Sequence, residues 1–142
     1  MNISAELLDE IIGHALEDPG NEVCGVVAVE SDRSQNGDGA RAVRVYRATN
    51  VHASPLKFEI APQELLELWN MIEADGCEMG AIYHSHVRSE PYPSQTDVNF
   101  AANWPGVEWI IVGLAHGEEP KVRSYLIDAS AIKEVAFAER AM

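Results

Sequence analysis

Two histidines one residue apart lie at the end of a predicted strand, and an aspartate follows at the start of a predicted helix. The stretch YHSHVRSEPYPSQTD (83–97) contains His84, His86 and Asp97. Side chains two positions apart on a strand point to the same face, so the two imidazoles are expected to lie side by side. Neutral imidazoles and a carboxylate are ligands that zinc prefers, and three protein ligands leave one position for water or substrate. The pattern is therefore typical of a catalytic zinc site.

A structural explanation of the same stretch stays open. Ser94-x-x-Asp97 fits a capping box, with serine at the N-cap and a carboxylate three residues later. Polar residues are also common at the exposed ends of strands, so a His-x-His pair does not by itself establish a metal site. Spacing alone leaves metal binding and helix capping as alternatives.

A hydrolytic zinc site also needs a general base. Glu22 directly precedes VCGVVAVE (23–30), an apolar and β-branched stretch that predicts a strand buried on both faces. A carboxylate at such a strand start is either a solvent-facing end residue or a functional one. The local sequence by itself favours the solvent-facing interpretation.

The elements that must position these residues alternate between helices and strands. Apolar residues at helical spacing follow a candidate N-cap at Ser4, and Pro62 suits the first turn of a second helix that Gly76 closes. The residues predict an α/β domain spanning 1–142, with a mixed, largely antiparallel sheet flanked by helices. The predicted helices are 4–20, 62–76, 94–103 and 129–142; the predicted strands are 23–30, 41–49, 58–60, 78–86, 107–115 and 121–128; the predicted turns are 31–40 and 116–120.

Composition excludes several classes of function. The formal charge of −13 repels phosphate backbones and argues against nucleic acid as a partner. No apolar run approaches the ~20 residues of a membrane helix, and the N-terminus lacks the basic start of a signal peptide, so we expect no membrane partner and a cytoplasmic protein. Cys24 and Cys77 form no C-x-x-C pair and are expected to be buried thiols.

The stretch HSHVRSEPYPSQTD resembles the His-x-His-x7-Ser-x2-Asp signature of the JAMM (MPN-plus) zinc metalloproteases, and Glu22 in NEVCGVV is similar to that family's Glu-x-Cys-Gly stretch. The resemblance implies a single domain with an MPN fold. It also implies that His84, His86 and Asp97 bind zinc. Glu22 would then be the general base, and Ser94 would donate a hydrogen bond to the oxyanion.

The chain is most similar to short bacterial members that act on sulfur-carrier proteins of ubiquitin-like fold. This resemblance implies a zinc metallopeptidase that hydrolyses a peptide or isopeptide bond at the carrier's C-terminal tail, releasing cysteine in a cysteine-biosynthesis route. Two alternatives remain: a non-catalytic MPN scaffold that binds a ubiquitin-like partner, and a zinc amidohydrolase for a small-molecule amide. The sequence does not indicate the oligomeric state.

Other residues in the sequence have simpler interpretations. Asn50 precedes a loop that could border the cleft and is interpreted as a substrate contact, while Ser85 is expected to face away from the histidines in a structural role. Surface or hydrogen-bonded histidines are predicted at His14, His52 and His116, and core or interface tryptophans at Trp69, Trp104 and Trp109.

Overall fold

The computed structural model describes residues 1–30, 40–115, 119–129 and 131–140, which form three helices and eight strands. Among these residues, no helix combines the length and the apolar character needed to cross a membrane. The helices are Ala5–Glu17 (α1), Pro62–Ala74 (α2) and Gln95–Ala101 (α3); the strands are Asn2–Ser4 (β1), Cys24–Glu30 (β2), Arg41–Ala48 (β3), Glu78–His86 (β4), Glu108–Gly113 (β5), Lys121–Asp128 (β6), Ala131–Val135 (β7) and Ala138–Arg140 (β8).

All eight strands belong to one sheet, in the order β7-β6-β5-β4-β2-β3-β1-β8. Strand β2 pairs antiparallel with β3 and β4, and β6 pairs antiparallel with β5 and β7. Parallel pairs join β4 to β5 and join β1 to β3 and β8. The predicted mixed, largely antiparallel sheet is confirmed, and β4 has a partner strand on each side.

Helices cover both faces of the sheet, and each face has its own core. One core packs Ile11 and Ala15 of α1 against the strands, and the other packs Leu68 and Ile72 of α2 together with Ala101 of α3. Side chains alternate along β4, so Tyr83 points into the α1 core and Ile82 into the other. His84 and His86 therefore face the side of the sheet that α2 and α3 cover.

Most of the predicted elements are confirmed, with ends that differ by a few residues. The Ser4 hydroxyl accepts a hydrogen bond from the Leu7 N–H (3.2 Å) and caps α1, and Pro62 lies in the first turn of α2. Gly76 has a φ of 73° just after α2, where a residue without Cβ reverses the chain at little cost.

The predicted C-terminal helix over 129–142 is wrong in its described part, because residues 131–135 and 138–140 form β7 and β8. Ala129 turns the chain back with a φ of 47°, and Asp128 then pairs with Ala131 along the open edge of β6. Hydrogen bonds along that edge outweigh the helix propensity of the segment. The turn predicted at 116–120 lies mainly outside the described residues, and the turn predicted at 31–40 lies almost wholly outside them. His116 is also outside the described residues.

The predicted strand at 58–60 does not form. The Asn50 side chain takes the place of a neighbouring strand there: its amide N–H donates to the Lys57 carbonyl (3.0 Å), and its oxygen accepts from the Glu59 N–H (3.1 Å). These two bonds satisfy backbone groups that a strand would otherwise pair. Strand β1, in contrast, forms where the sequence predicted none.

Candidate metal centre

The end of β4 delivers two buried imidazoles to the same place. His84 is 0% and His86 4% exposed. The ring of Phe58 stacks on the His84 ring, with centroids 4.4 Å apart. His86 Nδ1 lies 2.9 Å from the Glu90 carbonyl oxygen, which can only accept, so Nδ1 carries the hydrogen and Nε2 is left with its lone pair. Both contacts fix the rings in the orientation of metal ligands.

A capping box aims the third side chain at the imidazoles. The Ser94 hydroxyl accepts from the Asp97 N–H (3.1 Å), and Asp97 Oδ2 accepts from the Ser94 N–H (2.9 Å). The same Oδ2 lies 3.1 Å from His84 Nε2 and 3.2 Å from His86 Nε2. Helix capping and the donor cluster are therefore not alternatives here, because the cap orients the carboxylate toward the histidines.

The loop before this helix is held against the sheet. The Tyr125 hydroxyl donates to the Pro91 carbonyl (2.5 Å). A Cβ at Gly113 would lie 2.6 Å from Pro91 Cδ, so only glycine allows the loop to approach so closely. These contacts bring α3 back over the end of β4.

The three donor atoms form a nearly equilateral triangle that fits a zinc ion. His84 Nε2 and His86 Nε2 are 3.0 Å apart, and each lies 3.1–3.2 Å from Asp97 Oδ2. Zinc ligands at about 2.0–2.1 Å in tetrahedral geometry are about 3.3 Å from one another. These residues are the one group of three or more candidate ligands found among the described residues.

Burial and mutual contacts shift the pKa values of the same three side chains. Burial opposes ionisation of Asp97, but the two imidazoles and the Ser94 N–H outweigh it and lower the pKa of the carboxyl. Burial lowers the pKa of His84, and Asp97 opposes this only in part. Burial acts on His86 as well, yet its bonds to Asp97 and to the Glu90 carbonyl raise its pKa. A cation at the triangle would compete with a proton for Nε2 of His86 beside Asp97.

Glu22 lies buried beside the triangle, with 6% of its surface exposed. Cys24 pairs with His84, and the Ser85 N–H donates to the Val23 carbonyl (3.1 Å), so the register places Glu22 opposite His86. Burial raises the pKa of Glu22 to about 7, with His86 opposing the shift and Asp97 adding to it. The solvent-facing interpretation of this residue is therefore wrong.

Two serines have different tasks. Ser94 is exposed, and because its oxygen accepts a bond from Asp97, its hydroxyl hydrogen remains free for another group. Ser85 is fully buried, and its hydroxyl accepts from the Val23 N–H (2.9 Å), which confirms the predicted structural role. Ser85 thereby ties the start of β2, next to Glu22, to β4.

Asn50 and Phe58 have structural roles that the sequence did not predict. Besides its bonds to Lys57 and Glu59, the Asn50 amide donates to the Glu22 carbonyl (3.0 Å), and its oxygen accepts from the His52 N–H (3.1 Å). An Asn at the start of a loop was the available signal, since this side chain commonly bonds neighbouring backbone groups. Phe58 gave no signal beyond its apolar character.

The other described histidines have partners of their own, as predicted. His14 Nδ1 lies 2.7 Å from the Tyr83 hydroxyl, and His52 Nε2 lies 2.9 Å from the Glu59 carboxylate. Cys24 is buried as expected, and burial raises the pKa of its thiol to about 12, whereas Cys77 is only half-buried.

The chain is similar to known proteins along most of its length. Residues 4–128 match a family model described as prokaryotic homologs of the JAB domain. The desampylase of Haloferax volcanii is 38% identical over 117 residues, which cover 78% of each chain. The CysO-cysteine peptidase of Mycobacterium tuberculosis is 33% identical over 134 residues, covering 93% of this chain and 86% of that protein.

Solved structures show the same fold. A protein from Desulfitobacterium hafniense superimposes with a TM-score of 0.86 at 27% identity, covering 99% of this chain and 93% of that one. A JAB1/MPN domain protein from Archaeoglobus fulgidus gives 0.63 at 19% identity, covering 98% of each chain. The second likeness concerns the fold alone, and it confirms the predicted MPN-type architecture.

Proposed function

The chain belongs to the prokaryotic JAB-domain proteins of the JAMM family, and from that premise we propose that it is a zinc-dependent metallopeptidase. Its reaction is hydrolysis of a peptide or isopeptide bond at the C-terminal tail of a small ubiquitin-like or sulfur-carrier protein. The observation that carries the proposal is the donor triangle of His84, His86 and Asp97 beside the buried carboxylate of Glu22.

The zinc ion would be held by Nε2 of His84, Nε2 of His86 and Oδ2 of Asp97. When bound, zinc supplies a Lewis acid that polarises the scissile carbonyl and makes a water molecule more acidic. The chain contributes donor atoms already held at coordinating distances from one another, by strand β4 and by the capping box. Little reorganisation is then needed on metal binding.

Glu22 is the proposed general base. A carboxylate whose pKa burial raises to about 7 in the metal-free protein binds and releases a proton near neutral pH. It would accept the proton of the attacking water at a carboxylate oxygen and deliver that proton to the leaving amine. The positive charge of a bound metal would lower this pKa and favour the base form.

Ser94 is the proposed donor to the developing oxyanion. Its side chain is exposed, and the hydrogen bond from the Asp97 N–H fixes the position of its oxygen. The hydroxyl hydrogen is therefore free to donate from a fixed position. A donor fixed before the reaction stabilises the charge of the transition state without reorganisation.

The substrate class is supported by the names of the two relatives, a desampylase and a CysO-cysteine peptidase. The peptidase aligns over 93% of this chain. We therefore propose release of cysteine from a carrier tail, in a cysteine-biosynthesis route, as the finer assignment. Isopeptide cleavage of a protein conjugate is the other reaction to assay.

Removal of one ligand tests the metal site. We expect about one zinc per chain in the wild type and a loss of most of it in His86→Ala, because two remaining ligands hold the ion weakly. His52→Ala is the matched control, since His52 pairs with Glu59 and should leave the zinc content unchanged. Elemental analysis measures all three proteins. Wild-type protein without zinc after zinc has been supplied would refute the proposal.

Substitution of Glu22 tests the chemistry. Glu22→Gln should retain zinc while turnover falls by about 10²- to 10⁴-fold, because the amide cannot accept a proton. The substrates are CysO with one extra cysteine at its C-terminus, a lysine-linked conjugate of the same carrier, and a set of small amides. Unchanged turnover would remove Glu22 from the mechanism. Cleavage of small amides alone would exclude a protein tail, and binding without cleavage by zinc-loaded protein would indicate a scaffold.

A further inference from the structure

The loop between β4 and α3 places one arginine beside the metal centre. Arg88 lies two residues after His86, so their Cα atoms are at most about 7 Å apart. Its side chain is exposed, and no hydrogen bond or ion pair joins it to another residue in the described part of the chain. It is also the only Lys or Arg in 58–120. An unpaired guanidinium so close to a candidate ligand is free to bind an anion.

The backbone on both sides of Arg88 is anchored to the fold. His86 is buried at the end of β4, and its Nδ1–H donates to the Glu90 carbonyl (2.9 Å). The next carbonyl, that of Pro91, accepts from the Tyr125 hydroxyl (2.5 Å). Only residues 87–89 lie between His86 and Glu90. The backbone of Arg88 is therefore held near His86 before any ligand arrives, which lowers the entropic cost of binding.

The proposed reaction brings the leaving amine to the same end of β4. Glu22 delivers a proton to that amine, and the strand register places Glu22 opposite His86. When the leaving group is a C-terminal amino acid, its α-carboxylate is attached to the same carbon atom as the amine. The carboxylate must then lie close to the amine, beside the end of the strand that Arg88 follows.

A carboxylate at this place needs a cation beside it. Glu22 and Asp97 are buried acidic residues of the site, and their charges repel another anion. Arg47, near the same end of the sheet, is already engaged by the Glu17 carboxylate (2.9 and 2.5 Å). The Arg88 guanidinium has no such partner in the described part of the chain, stays charged at any pH of interest, and matches a carboxylate with two parallel hydrogen bonds.

We propose that Arg88 determines specificity for the leaving group, by binding the α-carboxylate of a C-terminal amino acid that hydrolysis releases. This inference rests on the proposed function and deepens it, because it names the chemistry on the leaving side of the bond. The lysine of an isopeptide bond leaves through its side-chain amine and has no carboxylate at that position. Arg88 therefore favours removal of one C-terminal residue over cleavage of a protein conjugate.

The test varies the carboxylate and the arginine independently. The substrates are CysO extended by one cysteine that ends in a free carboxylate (the acid), the same protein ending in a carboxamide (the amide), and a lysine-linked CysO conjugate. Wild-type kcat/KM should be about tenfold or more higher for the acid than for the amide, since only the acid offers a charged acceptor. Arg88→Gln should lower the acid to the level of the amide and leave the amide and the conjugate unchanged.

Two further variants separate the position of the charge from its presence. Arg88→Lys keeps the charge without the two-pronged geometry and should retain part of the preference for the acid. Arg44→Gln is the matched control, because it removes an equal charge from an exposed position on β3. Arg44 pairs with Ala28, four residues along β2 from the level of His84, and its loss should leave the preference unchanged.

Several results would overturn the role of Arg88: equal wild-type cleavage of acid and amide, a preference that survives in Arg88→Gln, or an equal loss on both substrates. Wild-type cleavage of the conjugate alone would also overturn it, while the peptidase function would stand. If the wild type cleaves none of the three, the proposed function fails, and titration calorimetry with the uncleaved acid and amide decides the binding question. Tighter binding of the acid that Arg88→Gln abolishes supports the inference; equal binding, no binding or a preference retained in Arg88→Gln refutes it.

Discussion

A single carboxylate oxygen connects the helix cap with the candidate ligands. Asp97 Oδ2 accepts the Ser94 N–H and also contacts Nε2 of His84 and of His86. Each of these groups stabilises the charged carboxylate, which is why its pKa falls despite burial. Asp97 is thus fixed in position and in charge state by the same contacts.

At Glu22 burial outweighs the favourable contacts and raises the pKa of the carboxyl, so the stability of the folded protein should depend on pH. Its pKa rises on folding from 4.5 to about 7, so the folded protein binds this proton more tightly than the unfolded chain does. The stability cost of the carboxylate therefore grows between pH 4.5 and 7 and stays constant above. Metal-free Glu22→Gln should unfold with a free energy higher than that of the wild type by on the order of 2 kcal/mol at pH 8, with little difference near pH 4.5.

Urea unfolding of both metal-free proteins at the two pH values measures this difference. A gap of the same size at pH 4.5 and pH 8 would contradict a raised pKa and would point to packing as its cause.

Ser94 is expected to contribute to stability and to turnover through different atoms. Ser94→Ala removes the cap oxygen and should cost about 1 kcal/mol of unfolding free energy. It also removes the hydroxyl donor, so kcat should fall by about 10²-fold. Ser94→Thr keeps both groups and should retain both properties. Denaturant titration and steady-state kinetics separate the two effects; a destabilised Ser94→Ala with normal kcat would leave Ser94 as a cap only.

At the scale of elements, three segments meet at the site: the end of β4, the capped start of α3, and the loop between β3 and α2. Asn50 organises the loop through bonds to Glu22, Lys57, His52 and Glu59. The loop in turn presents Phe58 to His84. The position of the proposed base therefore depends on a residue that does not take part in the chemistry.

Asn50→Ala should lower the unfolding free energy by about 2–4 kcal/mol, because four backbone groups lose their partner. Zinc content should stay near that of the wild type, since no ligand is touched, whereas kcat should fall as Glu22 loses its support. Asn99→Ala, on the exposed face of α3, is the control and should change stability by less than about 0.5 kcal/mol. Loss of zinc in Asn50→Ala would show that the loop supports the ligands as well.

Local sequence predicts an element well where that element satisfies its own backbone or has an unmistakable apolar pattern. Strand β6 was predicted with its observed ends, and Ser4 and Ser94 both cap helices as expected. Residues 131–135 carry a helix-like composition, yet they pair with β6 because its edge is open. The strand conformation of these residues is determined by the available edge of β6 and not by their own sequence.

At the scale of the whole molecule, the sheet curls until its two edges approach each other. Strands β7 and β8 stand at opposite ends of the strand order but are consecutive in the chain. Val135 and Ala138 are three residue steps apart, so they are separated by at most about 11 Å. The motif predicted which residues share the site, but this closure depends on pairings between distant strands that the motif does not encode.

The candidate ligands belong to parts of the fold that should open at different rates. Strand β4 has partners on both sides, so amide hydrogen exchange at His84 and Ser85 should require nearly global unfolding. Asp97 lies on a helix of seven residues that one capping box anchors. Brief fraying of α3 would withdraw one ligand while the other two stay in place. The lifetime of a bound metal would then depend on how often this short helix opens. The two histidines on β4 would remain in position as ligands throughout.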